Sequence, residues 1–154
     1  MRYFLDTEYN GFGGELISLA LVPETGDQEF YATLALPDIV HNWVAENVVP
    51  FLHMVPQGLR QTMNRIELGQ EIARYLAHDR APMIVADWPD DIGYFCTLLT
   101  PGPGDIVDVE TISFLLLRTP GFSTAANSAV PHNALHDARA LRDFVLEEDS
   151  FAPY

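Results

Sequence analysis

The sequence predicts an α/β domain built on one mixed sheet, with helices on both of its faces. Three observations carry this. Short apolar runs joined by tight turns fill the first 34 residues, the pattern of an antiparallel meander. Two more short strands, at 83–86 and 105–109, alternate with helical stretches, the pattern of parallel crossover connections. An amphipathic stretch from Ala134 to Leu146 then closes the chain.

Taken in order, Tyr3, Phe4 and Leu5 form a buried strand that ends in Asp6-Thr7-Glu8. Tyr9 to Gly14 is turn-rich, and its three glycines let the backbone bend close to a ligand or make a tight connection. Residues Glu15–Val22 and Gln28–Leu34 read as the second and third strands. Pro37-Asp38 opens a helix with Ile39, Trp43, Val44 and Val48 on its apolar face, and Pro50 and Pro56 break it. Thr62 caps a longer helix that buries Ile66, Ile72, Tyr75 and Leu76. Met83–Ala86 is a short buried strand, followed by Asp87-Trp-Pro-Asp-Asp91 and a helix carrying Ile92, Phe95, Leu98 and Leu99. Asp105–Val109 reads as the next strand, Thr111 to Arg118 as a short helix, and 119–131 as a loop. Asn133 is positioned to cap the last helix, whose stripe is Leu135, Ala138, Leu141, Val145 and Leu146.

Composition narrows the function. A hydrophobic fraction of 48% over 154 residues is enough for a core, so one folded domain spanning 1–154 is expected. The net charge is −14, from 22 acidic and 8 basic residues, every basic one an arginine. That balance disfavours broad binding to nucleic acid, but it permits a local arginine-lined cleft or a metal-bridged phosphate. Arg60, Arg65, Arg74 and Arg80 gather in one stretch, as a solvated helix face or a phosphate-contacting edge. The lone Cys96 rules out an internal disulfide and fits a reducing compartment. Arg2 and the early carboxylates do not form a signal peptide, and no apolar run approaches the ~20 residues of a membrane span. A soluble, cytoplasmic protein with no membrane partner is the expectation.

The acids are the informative residues. Asp6 and Glu8 are two apart on a strand, so their carboxylates face the same side. Two like charges held together call for a neutralising partner, and a divalent metal is the usual one. Asp87, Asp90 and Asp91 follow the fourth strand, and ligands of such sheets collect at strand carboxyl ends. Asp137 lies one turn inside the last helix, and His132 sits just before it on a loop edge. His136 is a second histidine there, facing another direction on the helix.

Asp6-Thr7-Glu8 at the end of the first strand, an Asp after a middle strand, and H-x-x-x-x-D opening the last helix resemble the DEDDh exonuclease family. The resemblance runs through nearly the whole chain in element order. The length, the Met1-Arg-Tyr-Phe-Leu-Asp-Thr-Glu8 start and the Glu15-Leu-Ile-Ser18 stretch are similar to the small bacterial and phage 3′–5′ exoribonucleases of the ribonuclease AS-like group. The resemblance implies a ribonuclease-H-like fold, two Mg²⁺ or Mn²⁺ ions per site, and a homodimer. Its substrate would be the 3′ end of single-stranded RNA or a short oligonucleotide, with DNA as the alternative. It also implies roles. Asp6 would bridge both metals, Glu8 and Asp137 would hold the one carrying the attacking water, Asp91 would support the other, and His132 would take the proton. Tyr9, Asn10 and Phe12 would contact the terminal nucleotide. The middle motif departs from the family's G-H-N-x-x-F-D, because three acids compete in Ala86-Asp-Trp-Pro-Asp-Asp91. Aligning the helix that follows selects Asp91. Asp90 is then a candidate N-cap, and Asp87 the ligand if the helix starts earlier. A non-catalytic binding module and an acidic metal-binding domain are the readings outside the nuclease class.

Overall fold

The computed structural model describes residues 1–151. Strands β1 (Arg2–Tyr9), β2 (Leu16–Pro23) and β3 (Phe30–Thr33) form the expected antiparallel meander. β4 (Met83–Ala86) pairs parallel with β1, and β5 (Ser113–Leu116) pairs parallel with β4. The resulting five-stranded mixed sheet has the order β3-β2-β1-β4-β5. β2 is buried along its whole length because helical elements cover both faces of the sheet.

One face packs on α2 (Arg65–Leu76) and α3 (Pro89–Leu98). Tyr3, Leu5, Leu19, Leu21 and Ile84 meet Leu68, Ile72, Phe95 and Leu98 there. The other face packs on α5 (Ala134–Phe151), where Phe4 and Val85 meet Leu141 and Val145, and Ala20 and Tyr31 meet Leu135 and Ala138. At Gly69 the backbones of α2 and α3 nearly touch, and a Cβ there would lie 2.2 Å from the Leu98 carbonyl oxygen. A bulge interrupts β1–β2: Glu8 pairs with Ser18 but Tyr9 with Leu16. The extra residue, Ile17, packs with Val44, Val48 and Leu52 around α1 (Asn42–Asn47) and the 3₁₀ turn that follows it.

Several boundaries differ from expectation. The helix expected from Pro37 begins only at Asn42, and Ile39 is exposed. Asn64, not Thr62, caps α2, in a capping box with Glu67. Thr62 instead bridges to Thr33. Ile66 therefore falls in the first turn of α2 and faces solvent. The fifth strand is not 105–109. That segment is irregular, with Val107 buried against the α2–α3 side, and the expected helix at 111–118 supplies β5. The 119–131 loop contains a one-turn helix, α4 (Thr124–Asn127), and α5 runs past Leu146 to Phe151. Among the described residues no helix is long and apolar enough to cross a membrane.

Candidate active site

Alternation along β1 turns Phe4, Asp6 and Glu8 toward α5, and Tyr3, Leu5 and Thr7 toward α2 and α3. At the carboxyl ends of β1 and β4 the sheet opens into a cleft of about 820 Å³. Asp6, Glu8, Tyr9, Asn10, Phe12, Asp91, His132 and Asp137 all line it, so the chain brings together every residue expected at the site.

Each acid has a distinct mooring. Asp91 stands in the first turn of α3, which begins at Pro89 with Trp88 as its N-cap, so Asp90 is not the cap. One Asp91 oxygen, Oδ1, accepts from the Thr7 backbone N–H at 3.1 Å and from the Thr7 hydroxyl at 2.6 Å. Asp90 instead accepts from Tyr9 and Trp88 at 3.4 and 3.3 Å and lies outside the cleft lining. Asp87 does line the cleft, so the middle segment contributes two acids to it.

Asn133 caps α5, its Oδ1 accepting from the backbone N–H groups of Leu135 and His136. Asp137 reaches back, and its Oδ2 accepts from the His132 N–H at 3.0 Å. His132 takes up a left-handed backbone with φ +64°, uncommon for a side-chain-bearing residue, which turns its ring into the cleft. The His132 ring meets Trp43 edge-on at 4.9 Å between centroids. His136 points elsewhere, its Nε2 lying 2.8 Å from the Met54 carbonyl oxygen. Ligand atoms of Glu8, His132 and Asp137 all lie within 4.8 Å of one another.

The charge balance is unfavourable without a cation. Burial, then the neighbouring Asp91, Glu8, Asp137 and Asp87, push Asp6 well above the usual carboxylate range. Burial raises Glu8 to about 8, with Asp137 and Asp91 adding to it. Burial likewise raises Asp91 to about 7 and Asp137 to about 6. Burial also lowers His132, favouring the neutral ring. Asp6 Oδ2 and Asp137 Oδ1 are buried with no hydrogen-bond partner. Among the described residues no arginine lines the cleft, the Arg60–Arg80 group included. An oxygen-rich set with unpartnered lone pairs fits a hard divalent cation.

The residues expected to grip a nucleotide divide. Phe12 is almost fully exposed at the cleft rim. Tyr9 is stacked on Tyr94 at 4.7 Å and bonded to Asp90, so it is held by structure. Asn10 is a fastener: its Nδ2 donates to the Ile39 carbonyl at 2.8 Å and its Oδ1 accepts from the His41 N–H at 2.7 Å. Sequence reasoning did not assign His41, Trp43, Trp88, Ser123 or Thr124 to the site, yet all line the cleft. Nothing local marks them, because folding alone carries them there. No family model matches the sequence, and no curated protein matches it.

Proposed function

We propose that the protein is a metal-dependent 3′–5′ exonuclease of the DEDDh type. It would hydrolyse single-stranded RNA or short oligonucleotides from the 3′ end to nucleoside 5′-monophosphates. One observation carries this reading: Asp6, Glu8, Asp91, His132 and Asp137, drawn from both ends and the middle of the chain, line one cleft. The antiparallel trio followed by two parallel strands, with helices on both faces, is the arrangement a ribonuclease-H-like fold implies, and it supports the same reading.

Asp6, Glu8, Asp91 and Asp137 would hold two Mg²⁺ or Mn²⁺ ions. Bound there, such ions supply water activation, phosphate polarisation and stabilisation of the leaving oxygen. The chain's own residues do the rest. The His132 ring, kept neutral by burial, accepts the proton of the attacking water. Trp43 packs against that ring and limits its rotation. Thr7 fixes Asp91 by one oxygen and leaves the other toward the cleft. Phe12 and Trp88, exposed at the rim, offer faces for base stacking, worth ~1–3 kcal/mol per base. With no arginine in the lining, a phosphate enters only with a metal. The overall charge of −14 favours short single-stranded ends over long duplexes.

The test is cleavage of 5′-labelled single-stranded RNA and DNA of one sequence, with Mn²⁺, Mg²⁺ or EDTA. Asp6→Ala and His132→Ala are run beside the native protein. A ladder shortening from the 3′ end, lost with EDTA and in both variants, is expected, with RNA the better substrate. Preference for DNA would point to a trimming or proofreading-type exonuclease. No cleavage of either polymer would overturn the nuclease reading in favour of a binding module, and metal titration would then separate a metal-binding from a metal-free one.

A further inference from the structure

Past Trp88 the cleft continues into a second hollow of about 620 Å³, at the carboxyl ends of β4 and β5. Asp87 and Trp88 line both spaces, so the two join at the corner between β4 and α3. The ladder explains the continuity. Ala86 pairs with Leu116 at its last rung, and the Leu117 N–H donates to the Ala86 carbonyl. Trp88 and Arg118 follow those two strand ends at equal spacing, and both enter the wall of the hollow. Pro89 and Pro120 add two rigid apolar rings to that wall. Trp88 is 57% exposed, and its indole N–H is tethered to Asp90 at 3.3 Å.

Arg118 is uncommitted. Of the eight arginines, Arg2, Arg74, Arg139 and Arg142 are ion-paired, and Arg60 and Arg65 donate to the Val55 and Thr97 carbonyls. Arg80 and Arg118 are exposed and have no such partner among the described residues. Arg80 precedes β4 and so stands at the far end of the sheet, whereas Arg118 stands at the end where the cleft opens. We propose that the hollow is a second nucleotide subsite, in which Arg118 binds a phosphate of a single strand upstream of the bond held in the cleft, with the exposed Trp88 ring taking a base between them. The inference rests on the nuclease reading, which places the 3′ end at the acids. Five acids in the cleft serve one phosphate, through metal. The strand's other phosphates meet a chain of net charge −14, and Arg118 is the cation set along their way out. A planar guanidinium matches a phosphate with two parallel hydrogen bonds, and a stacking ring accepts any base. The subsite therefore selects for length and not for sequence. A strand that reaches the hollow binds better than a dinucleotide, whose single phosphate is occupied in the cleft.

Initial rates on an unlabelled RNA dinucleotide and hexanucleotide, read by chromatography with Mn²⁺, are compared for the full chain, Arg118→Gln and Arg118→Lys. Melting curves should show both variants folded as the native protein is. Native kcat/KM should be higher on the hexanucleotide. Arg118→Gln should cut the hexanucleotide-to-dinucleotide ratio by about fivefold, through KM, the worth of one exposed charge contact, and Arg118→Lys should keep most of it. Affinity for a 5′-fluorescein hexanucleotide is followed against salt by anisotropy, with Ca²⁺ in place of Mn²⁺. Its log–log slope should shrink by about 0.7 in Arg118→Gln, the share of one phosphate on a single strand. A ratio and a slope that Arg118→Gln leaves alone, or an equal loss on both lengths, would overturn the subsite while the cleavage itself upholds the nuclease reading. A native protein that cleaves neither length defeats that reading first. Binding of the hexanucleotide that depends on Arg118 would then still support the hollow as a nucleic-acid site, and absence of binding would overturn it as well.

Discussion

Thr7 donates twice to the same Asp91 oxygen, through its backbone N–H at 3.1 Å and its hydroxyl at 2.6 Å. The residue between Asp6 and Glu8 is thus the mooring of the acid that arrives from α3. Thr7→Val keeps the shape and removes one donor to a buried carboxylate, at about 1–3 kcal/mol. Urea unfolding should register that loss, and metal affinity should fall with it. Thr7→Ser should restore both, so a Thr7→Val protein as stable as the native one would contradict the assignment.

Stability should depend on pH in a direction set by the cleft. Burial holds protons on Glu8, Asp91 and Asp137 up to about pH 8, 7 and 6, against ordinary values of 4.5 for Glu and 3.8 for Asp. Between roughly pH 4 and 8 the folded chain binds more protons than the unfolded one. Stability contributed by these groups is therefore complete at the acid end and is lost as pH rises through the folded values. Melting in EDTA should accordingly drop from pH 5 to pH 8. Mn²⁺ at a hundredfold over its Kd should add about 2.7 kcal/mol, roughly 5–10 °C for a chain of this size. At one fixed Mn²⁺ concentration the gain should be larger at pH 8 than at pH 5, because the ligands must lose their protons to bind, and a flat EDTA profile would argue against the clustered carboxylates.

Asp6→Asn separates stability from function. It replaces a buried carboxyl, crowded by Glu8, Asp91, Asp137 and Asp87 and with an unpartnered Oδ2, by an amide that cannot ionise. The variant should melt above the native protein in EDTA and fail to gain from Mn²⁺, with cleavage lost. A variant less stable than the native protein in EDTA would mean that Asp6 serves the fold.

Trp43 acts through His132, whose ring it meets edge-on at 4.9 Å. Trp43→Ala should lower kcat by about tenfold, the equivalent of 1.4 kcal/mol, while metal affinity holds. Trp43→Phe should recover most of that rate. Equal losses in both variants, or a change confined to KM, would make Trp43 a stacking residue and not a brace for His132.

Asn10, expected at the nucleotide, lines the cleft, and its bonds also give it a structural task. It ties the turn after β1 to Ile39 and His41, ahead of α1. Asn10→Ala should destabilise by about 1–2 kcal/mol in denaturant titrations, with proportionate loss of activity. Full stability with lost substrate affinity would return Asn10 to a direct role.

The site was more legible in the sequence than the sheet that carries it. Asp6 and Glu8 lie near the end of an unambiguous strand, and His132 and Asp137 flank a strong cap at Asn133, but it is the resemblance to the DEDDh pattern that singles them out. Asp91 was selected from three acids by aligning the helix that follows with the family pattern, and in the structure it stands in the first turn of α3, which Pro89 opens. β5 was misread for a physical reason. Phe114-Leu-Leu-Leu117 has the propensity of a helix, while Ile106-Val-Asp-Val109 has the alternation of a strand. Pairing with β4 overrode the first, and burial of Val107 against the α2–α3 side took the second out of the sheet. His41 and Trp43 carry no local mark at all, since Asn10 and the packing of Val44 and Val48 on Ile17 bring them to the cleft.

Gly69 gives α3 the mechanics of a lever. Its far end bears on α2 at Leu98, where a methyl group at position 69 would stand 2.2 Å from a carbonyl oxygen, and its near end carries Asp91. A shim inserted at the far end tilts the whole rod, and the near end swings against its tether to Thr7. Gly69→Ala would have to part α2 from α3, and whatever share of that shift α3 takes is carried along the helix to Asp91, although α2 lends the cleft no side chain.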